Sequence, residues 1–383
     1  MRKSITGILF GAMLFMISCG QPDTKPSEGS KIGFALSFLR STNDYVPAGE
    51  NLIVSPYSAG VIFSMLEEGA DGQTKAEFDD ALNGCLFKAD DLGGGGDVNV
   101  KSANSVWISD DFSIRNHYVS LLAKDYDAFI TTQNFSDPAT VKAINNWCSE
   151  HTEGKIDEII DELGSNDVLV LVNALYFKAP WEIAFDINST SDGIFHGTSG
   201  DETVPMMASR ADYRYAEYEG FQLIELPYRG DRYSMYVALP PAGKNIDTYM
   251  PYLNESVYQT AISQMTEREV ILKMPKFKLE TAMLLNDPME KMGIRTAFSG
   301  AADFREIAAT GPLALSIVKQ KCYIDVTEEG TEAAAVTSAQ VRLTSLNRDP
   351  VPKVTVDRPF VFFISDSQTG NILFAGKVVN IHK

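Results

Sequence analysis

Residues 55–82, SPYSAGVIFSMLEEGADGQTKAEFDDAL, begin with a serine and a proline and stay densely apolar as far as Gly69. Ser-Pro is a helix start, so this pattern predicts a largely buried helix ending at Gly69, with a second, shorter helix after it. VKAINNWCSEHTEGKI, 141–156, spaces its apolar residues for one face of a helix. Other stretches follow strand patterns. DVLVLVNALYFKAPW, 167–181, is a long apolar strand ending near Trp181, and RYSMYVALP and EREVILKMPKFKLE carry the β-branched and aromatic content of strands. PFVFFISDSQTGNILFAGKVV reads as a hairpin turning between Gln368 and Asn371, and the glycine run in DDLGGGGD, 90–97, as a loop. No linker interrupts 31–383, so the helical and strand blocks alternate within one α+β domain.

Composition narrows the partners. A chain of 383 residues that is 44% apolar can bury a large core. Its 51 acidic residues against 33 basic ones give a net charge of −18, which repels phosphate backbones and anionic lipid, so nucleic acid is not an expected partner. No catalytic pattern emerges either. GxSxG, glycine-rich phosphate loops and HExxH are missing, and His117, His151, His196 and His382 are scattered. The adjacent carboxylates Glu67-Glu68, Asp79-Asp80, Asp90-Asp91 and Glu328-Glu329 read mostly as solvated surface. Beyond the leader the cysteines are Cys85, Cys148 and Cys322, an odd number without CxxC spacing, which favours buried thiols over a disulfide framework. Trp107, Trp147 and Trp181 read as packing residues. No metal, cofactor or enzymatic activity is expected.

The first residues carry an address. Arg2 and Lys3 precede an apolar run from Ile5 to Ile17, too short to span a bilayer, and Met16-Ile17-Ser18-Cys19 is similar to a bacterial lipobox. The expectation is a lipoprotein-type signal over 1–18, acylation of Cys19 and a flexible tether over 19–30. The mature protein would then be exported and anchored by lipid in the cell envelope, or secreted if Cys19 is not acylated.

One stretch fits no ordinary element: EEGTEAAAVTSAQ, 328–340, mixes an alanine run with glycine, threonine and serine. Read with period two, Thr331, Ala333, Ala335, Thr337, Ala339 and Val341 form a small or apolar face, while Glu332, Ala334, Val336, Ser338, Gln340 and Arg342 grow steadily more polar. Small side chains survive exposure and also fit between two strands. With its surroundings, the stretch resembles the hinge and reactive loop of the serpins, the serine protease inhibitor family. NLIVSPYS at 51–58, GADGQT at 69–74, NALYFKAPW at 173–181, MPKFKLE at 274–280, MGIRTAF at 292–298, ADF at 302–304, and the terminal DRPFVFFI and GNILFAGKV follow in that family's order.

The resemblance implies a single serpin domain over 31–383, with a large mixed sheet that accepts the reactive loop, about 329–356, as an added strand, further smaller sheets and about nine helices. It implies inhibition of serine endopeptidases, with cysteine endopeptidases as further targets, by suicide-substrate trapping; the competing reading is a serpin-fold carrier that no longer inhibits. The hinge would be Glu329, Gly330, Thr331, Glu332, Ala333, Ala334 and Ala335. About fourteen residues beyond Gly330 lies the expected scissile bond, Thr344-Ser345, with Arg342, Leu343 and Arg348 as secondary cleavage positions. Ser55, Ser58, Asn173, Trp181 and Gln320 match the shutter and breach, and Gln320 stands where many members have histidine. The partner would be the target protease in covalent complex, the inhibitor itself a monomer capable of loop-sheet polymers. Residues 77–91 are acidic, so no heparin-like cofactor is expected.

Overall fold

The helix starts are set by side chains that satisfy the first free N–H groups. Ser30 accepts from Gly33 N to open α1, Lys31–Asn43; Ser55 accepts from Ser58 N, with Pro56 in the first turn, to open α2, Pro56–Gly69. Asp71 caps α3, Gly72–Ala81. After α4, Asn116–Asp125, the pair Asp137-Pro138 opens α5, Pro138–His151. The remaining helices are α6, Glu255–Ser263, and α7, Asn286–Lys291. This computed structural model describes residues 30–382 apart from 90–91, 93–96, 165, 310–312 and 332–349. Where about nine helices are expected, the described residues hold these seven and several three-residue 3-10 turns. The glycine run at 93–96 lies outside the described residues.

Two sheets make up the body. The strands are β1 Leu52–Val54, β2 Asn99–Ser109, β3 Phe129–Gln133, β4 Leu169–Pro180, β5 Ser191–Gly197, β6 Gly200–Tyr218, β7 Phe221–Pro227, β8 Tyr233–Leu239, β9 Thr266–Pro275, β10 Phe277–Leu284, β11 Ile317–Val326, β12 Gly330–Thr331, β13 Lys353–Thr355, β14 Phe360–Asp366 and β15 Ile372–Val378. Nine of them form one sheet, in the order β1-β15-β14-β8-β7-β6-β9-β13 with β5 on β6. The other six run β10-β11-β12-β4-β2-β3. EREVILKMPKFKLE is thus two strands in different sheets, because the chain leaves one sheet at Pro275 and enters the other at Phe277.

β4 shows why its sequence is apolar throughout. Leu169 and Leu171 face the core built around α2, Leu175, Phe177 and Ala179 face a second core shared with the nine-stranded sheet, and Val170, Val172 and Ala174 lie under α5. A strand covered on both faces has no polar side to show. Trp107, Trp147 and Trp181 are buried as expected. So are Cys85, Cys148 and Cys322, all free thiols; burial pushes the Cys148 thiol up to about 12.

One of the carboxylate pairs read as solvated is half wrong. Glu67, in the last turn of α2, is 9% exposed, because the next face of that helix packs toward α3 and α4. Burial raises its carboxyl to about 7; Lys75 opposes the shift, and Asp79 and Glu68 add to it. An acid whose folded pKa is raised favours the folded state below its unfolded value, and that advantage is lost as pH rises toward 7. A shift of this size corresponds to about 3 kcal/mol. Glu67→Gln should therefore melt a few degrees above the parent at pH 8, with the gap closing by pH 5; a gap independent of pH in calorimetry would refute this account.

Candidate functional site

The geometry of interest lies between β4 and β11. These strands pair in parallel from Val170–Ile317 to Leu175–Cys322, and above that point they part. Gly330 and Thr331 fill the top of the opening, antiparallel to both neighbours: Gly330 opposite Pro180, Thr331 opposite Ala179, and Thr331 opposite Val326. Only glycine fits the first position. Its φ is +149°, and a Cβ there would lie 2.2 Å from the Ala179 carbonyl oxygen. Thr331 is fully buried, and its hydroxyl lies 2.7 Å from that of Tyr228.

Above this slot, Trp181 organises the approach. Its ring stacks on Tyr228 at 4.4 Å, its Nε1 donates to Thr327 O at 3.0 Å and its backbone N–H to Glu329 O at 2.9 Å. Glu328, expected at the surface, is instead buried, since the connection between β11 and β12 packs against the 182–190 segment, where Phe185 donates its backbone N–H to Glu328 O at 2.9 Å. Its carboxylate accepts from Lys276 Nζ at 2.9 Å and from Thr190 Oγ1 at 2.8 Å. Burial alone would raise this carboxyl, but those hydrogen bonds and one from its own backbone outweigh it and hold it below the usual range. Lys276 is the single residue between β9 and β10, so this ion pair ties the crossing between the two sheets to the start of the loop. Glu329 is half-buried beside it.

Below the slot a buried polar chain crosses the sheet. Gln320 Oε1 accepts from Ser55 N at 2.9 Å, and Gln320 Nε2 donates to Ser55 O at 3.0 Å and to Asn173 Oδ1 at 3.2 Å. Asn173 Nδ2 in turn donates to Asn104 Oδ1 at 2.8 Å. The amide uses both ends, so glutamine satisfies α2's N-terminus and β4 together without carrying charge. Ser58 donates its backbone N–H to Ser55 Oγ at 3.2 Å, while its own hydroxyl has no hydrogen-bond partner among the described residues.

Ser55, Asn173, Trp181, Gln320, Gly330 and Thr331 are thus brought to one seam of the six-stranded sheet. Asn104, Tyr228, Thr190 and Lys276 belong with them and carry no signal in the sequence beyond the strands that hold them. Their roles depend on pairings between residues more than forty positions apart. Glu332, Ala333, Ala334, Ala335, Arg342, Leu343, Thr344, Ser345 and Arg348 lie outside the described residues, as does Cys19. Among the described residues no group of three or more His, Cys, Asp or Glu could hold a metal, and no helix is long and apolar enough to cross a membrane.

Comparisons with known proteins agree with this architecture. The family model described as Serpin (serine protease inhibitor) matches residues 30–381. An uncharacterized serpin-like protein of Thermococcus kodakarensis is 33% identical over 86% of this chain and 80% of its own, and Iripin-5 of Ixodes ricinus is 33% identical over 90% and 92%. Among solved structures, the thermophilic serpin tengpin in its native state superposes with a TM-score of 0.82 at 29% identity, covering 92% of this chain and 93% of that one. With its two sheets, its interrupted β4–β11 seam and this match along nearly the whole length, the chain belongs to the serpin family, whose members are generally protease inhibitors without catalytic activity of their own.

Proposed function

We propose that this protein inhibits serine endopeptidases, with cysteine endopeptidases as further targets, by suicide-substrate trapping: the protease cuts the loop, forms its acyl-enzyme and is carried along as the freed strand inserts between β4 and β11. The observation that carries the reading is the placement of Gly330 and Thr331, already seated between both strands in antiparallel register. Continued without a slip, that register brings Glu332 to Val341 alongside β4 from Lys178 to Leu169. Thr337 would come between Asn173 and Gln320, whose side chains hydrogen-bond directly now. Ala333, Ala335, Thr337, Ala339 and Val341 would fall on the inner face with Phe177, Leu175, Leu171 and Leu169, and the polar set on the α5 side. The small face matches the core face formed by Phe177, Leu175, Leu171 and Leu169.

The register also supports the choice of bond. The sheet's lower end, at Leu169 of β4, is reached by Val341, so a protease held at Thr344 would be delivered three residues past the edge. Cleavage at Arg342 would leave the acyl bond crowded against the sheet, and cleavage at Arg348 would leave seven residues of slack. A net gain on the order of ten backbone hydrogen bonds, at about 1 kcal/mol each, would give roughly 10 kcal/mol, comparable with the stability of a whole domain.

Three outcomes are expected. Incubated with elastase or subtilisin, the protein forms complexes that survive boiling in detergent, and mass spectrometry places the cut after Thr344, whereas trypsin cuts after Arg342 or Arg348; the cleaved form melts about 20 °C or more above the intact one. Unchanged melting with no complex would favour the carrier reading. Second, Thr331→Arg, which puts an uncompensated charge on the inner face, reduces complex yield at least tenfold while cleavage continues, so the protein becomes a substrate; undiminished complex would contradict the insertion register. Third, acylation at Cys19, with residues 20–30 as tether, would hold the inhibitor at the envelope surface, and fatty-acid labelling should disappear in Cys19→Ser. Persistence of label in that variant would remove the anchor.

A further inference from the structure

On the opposite face of the nine-stranded sheet from Tyr228 and Trp181, an apolar cavity of about 130 Å³ opens to solvent. Its floor is Tyr236 and Phe363, and α6 forms one wall with Val257 and Ala261. Tyr258 of α6 meets Phe363 edge to face at 5.3 Å and fixes its hydroxyl 3.0 Å from Ser365, so that wall is rigidly seated. The mouth is aromatic: Phe221 and Tyr249 pack perpendicular at 4.8 Å, and Tyr252 beside them is 72% exposed. A tyrosine that open, at the rim of an apolar hollow, is a contact surface without a contact.

The charge pattern is one-sided. Among the described residues five of the lining side chains are tyrosines, none is lysine, arginine or histidine, and the one charged group is the carboxylate of Glu219. Glu219 is exposed in the turn between β6 and β7 and has no ion-pair partner among the described residues. The nearby Glu225 is engaged by Arg214 at 2.6 Å and Ser234 at 2.7 Å, so both of those charges are spent on each other. Tyrosine faces attract cations through their ring quadrupole, and a carboxylate at the rim adds to that while repelling anions. We propose that this cavity binds a small hydrophobic cation, with an aromatic or alicyclic body seated on Tyr236 and Phe363 and its ammonium group held at the mouth by Glu219 and the tyrosines.

The test does not involve protease inhibition. Benzyltrimethylammonium and phenylacetate, similar rings of opposite charge, are titrated calorimetrically into the mature protein. The cation should bind at least tenfold more tightly than the anion. Glu219→Gln should narrow that ratio to about twofold, and Glu219→Lys, at an exposed turn, should reverse it. Ala261→Phe, which fills the hollow, should abolish binding of both, with circular dichroism confirming that the variant is folded; if it is not, the Glu219→Lys result decides. Absence of binding by either probe, equal binding of the two, or a preference unmoved by Glu219→Lys would overturn the proposal.

Discussion

Two neighbouring strands can hydrogen-bond to each other or to a third strand between them, but not to both at once. That exclusion governs the seam between β4 and β11. Its lower part is closed by direct pairing from Val170–Ile317 to Leu175–Cys322; its upper part is held apart by Gly330 and Thr331. Each arrangement satisfies backbone groups that would be costly to leave buried and bare. The molecule therefore has a defined boundary within one sheet, at Leu175 and Cys322, where one kind of pairing gives way to the other. Everything else at the site either fixes that boundary or supports the strands on its two sides.

The supports differ in chemistry above and below. Above, Trp181, Tyr228 and the Glu328–Lys276 pair hold the entry through stacking, one indole hydrogen bond and a buried ion pair, a combination that is strong while complete and costly when half removed. Below, Gln320 knits Ser55, Asn173 and, through it, Asn104 into an uncharged chain. Because no member of that chain titrates, acidity has no direct hold on the lower part of the seam. Where pH does reach the neighbouring structure is Glu67, at the far end of the same helix whose start Gln320 grips.

The elements legible in the sequence were those with a local cause. Ser55-Pro56 marked the start of α2 because capping is a matter of two adjacent residues, and β4 was evident from the long apolar run between Val168 and Trp181, broken only at Asn173 and Lys178. The period-two alternation beyond Gly330 predicts a strand over 331–342; of those residues only Thr331 is described, paired and buried between β4 and β11. What stayed hidden was set by partners distant in sequence. Glu328 looked like half of a solvated carboxylate pair because nothing near it in the chain indicates Lys276 or Thr190. Asn104 is an unremarkable polar residue in β2 until register places it opposite Asn173. Likewise, a single lysine between two strand patterns gave no sign that β9 and β10 belong to different sheets.

The direction of the strands supplies a reason for the sheet to yield at this seam rather than another. β4 is antiparallel to β2, and β11 is antiparallel to β10, but β4 and β11 are parallel to each other. A parallel ladder has slanted bonds and is somewhat weaker per residue than an antiparallel one. The short segment at Gly330 and Thr331 runs antiparallel to both β4 and β11. Extending it would replace the weaker, parallel pairing with two antiparallel ladders, each step exchanging one bonded contact for two. On the proposed mechanism, nothing would need to nucleate: the first two residues are in place, Gly330 has already taken the close approach to Ala179 that no other residue could, and the remaining change would propagate from an end that exists.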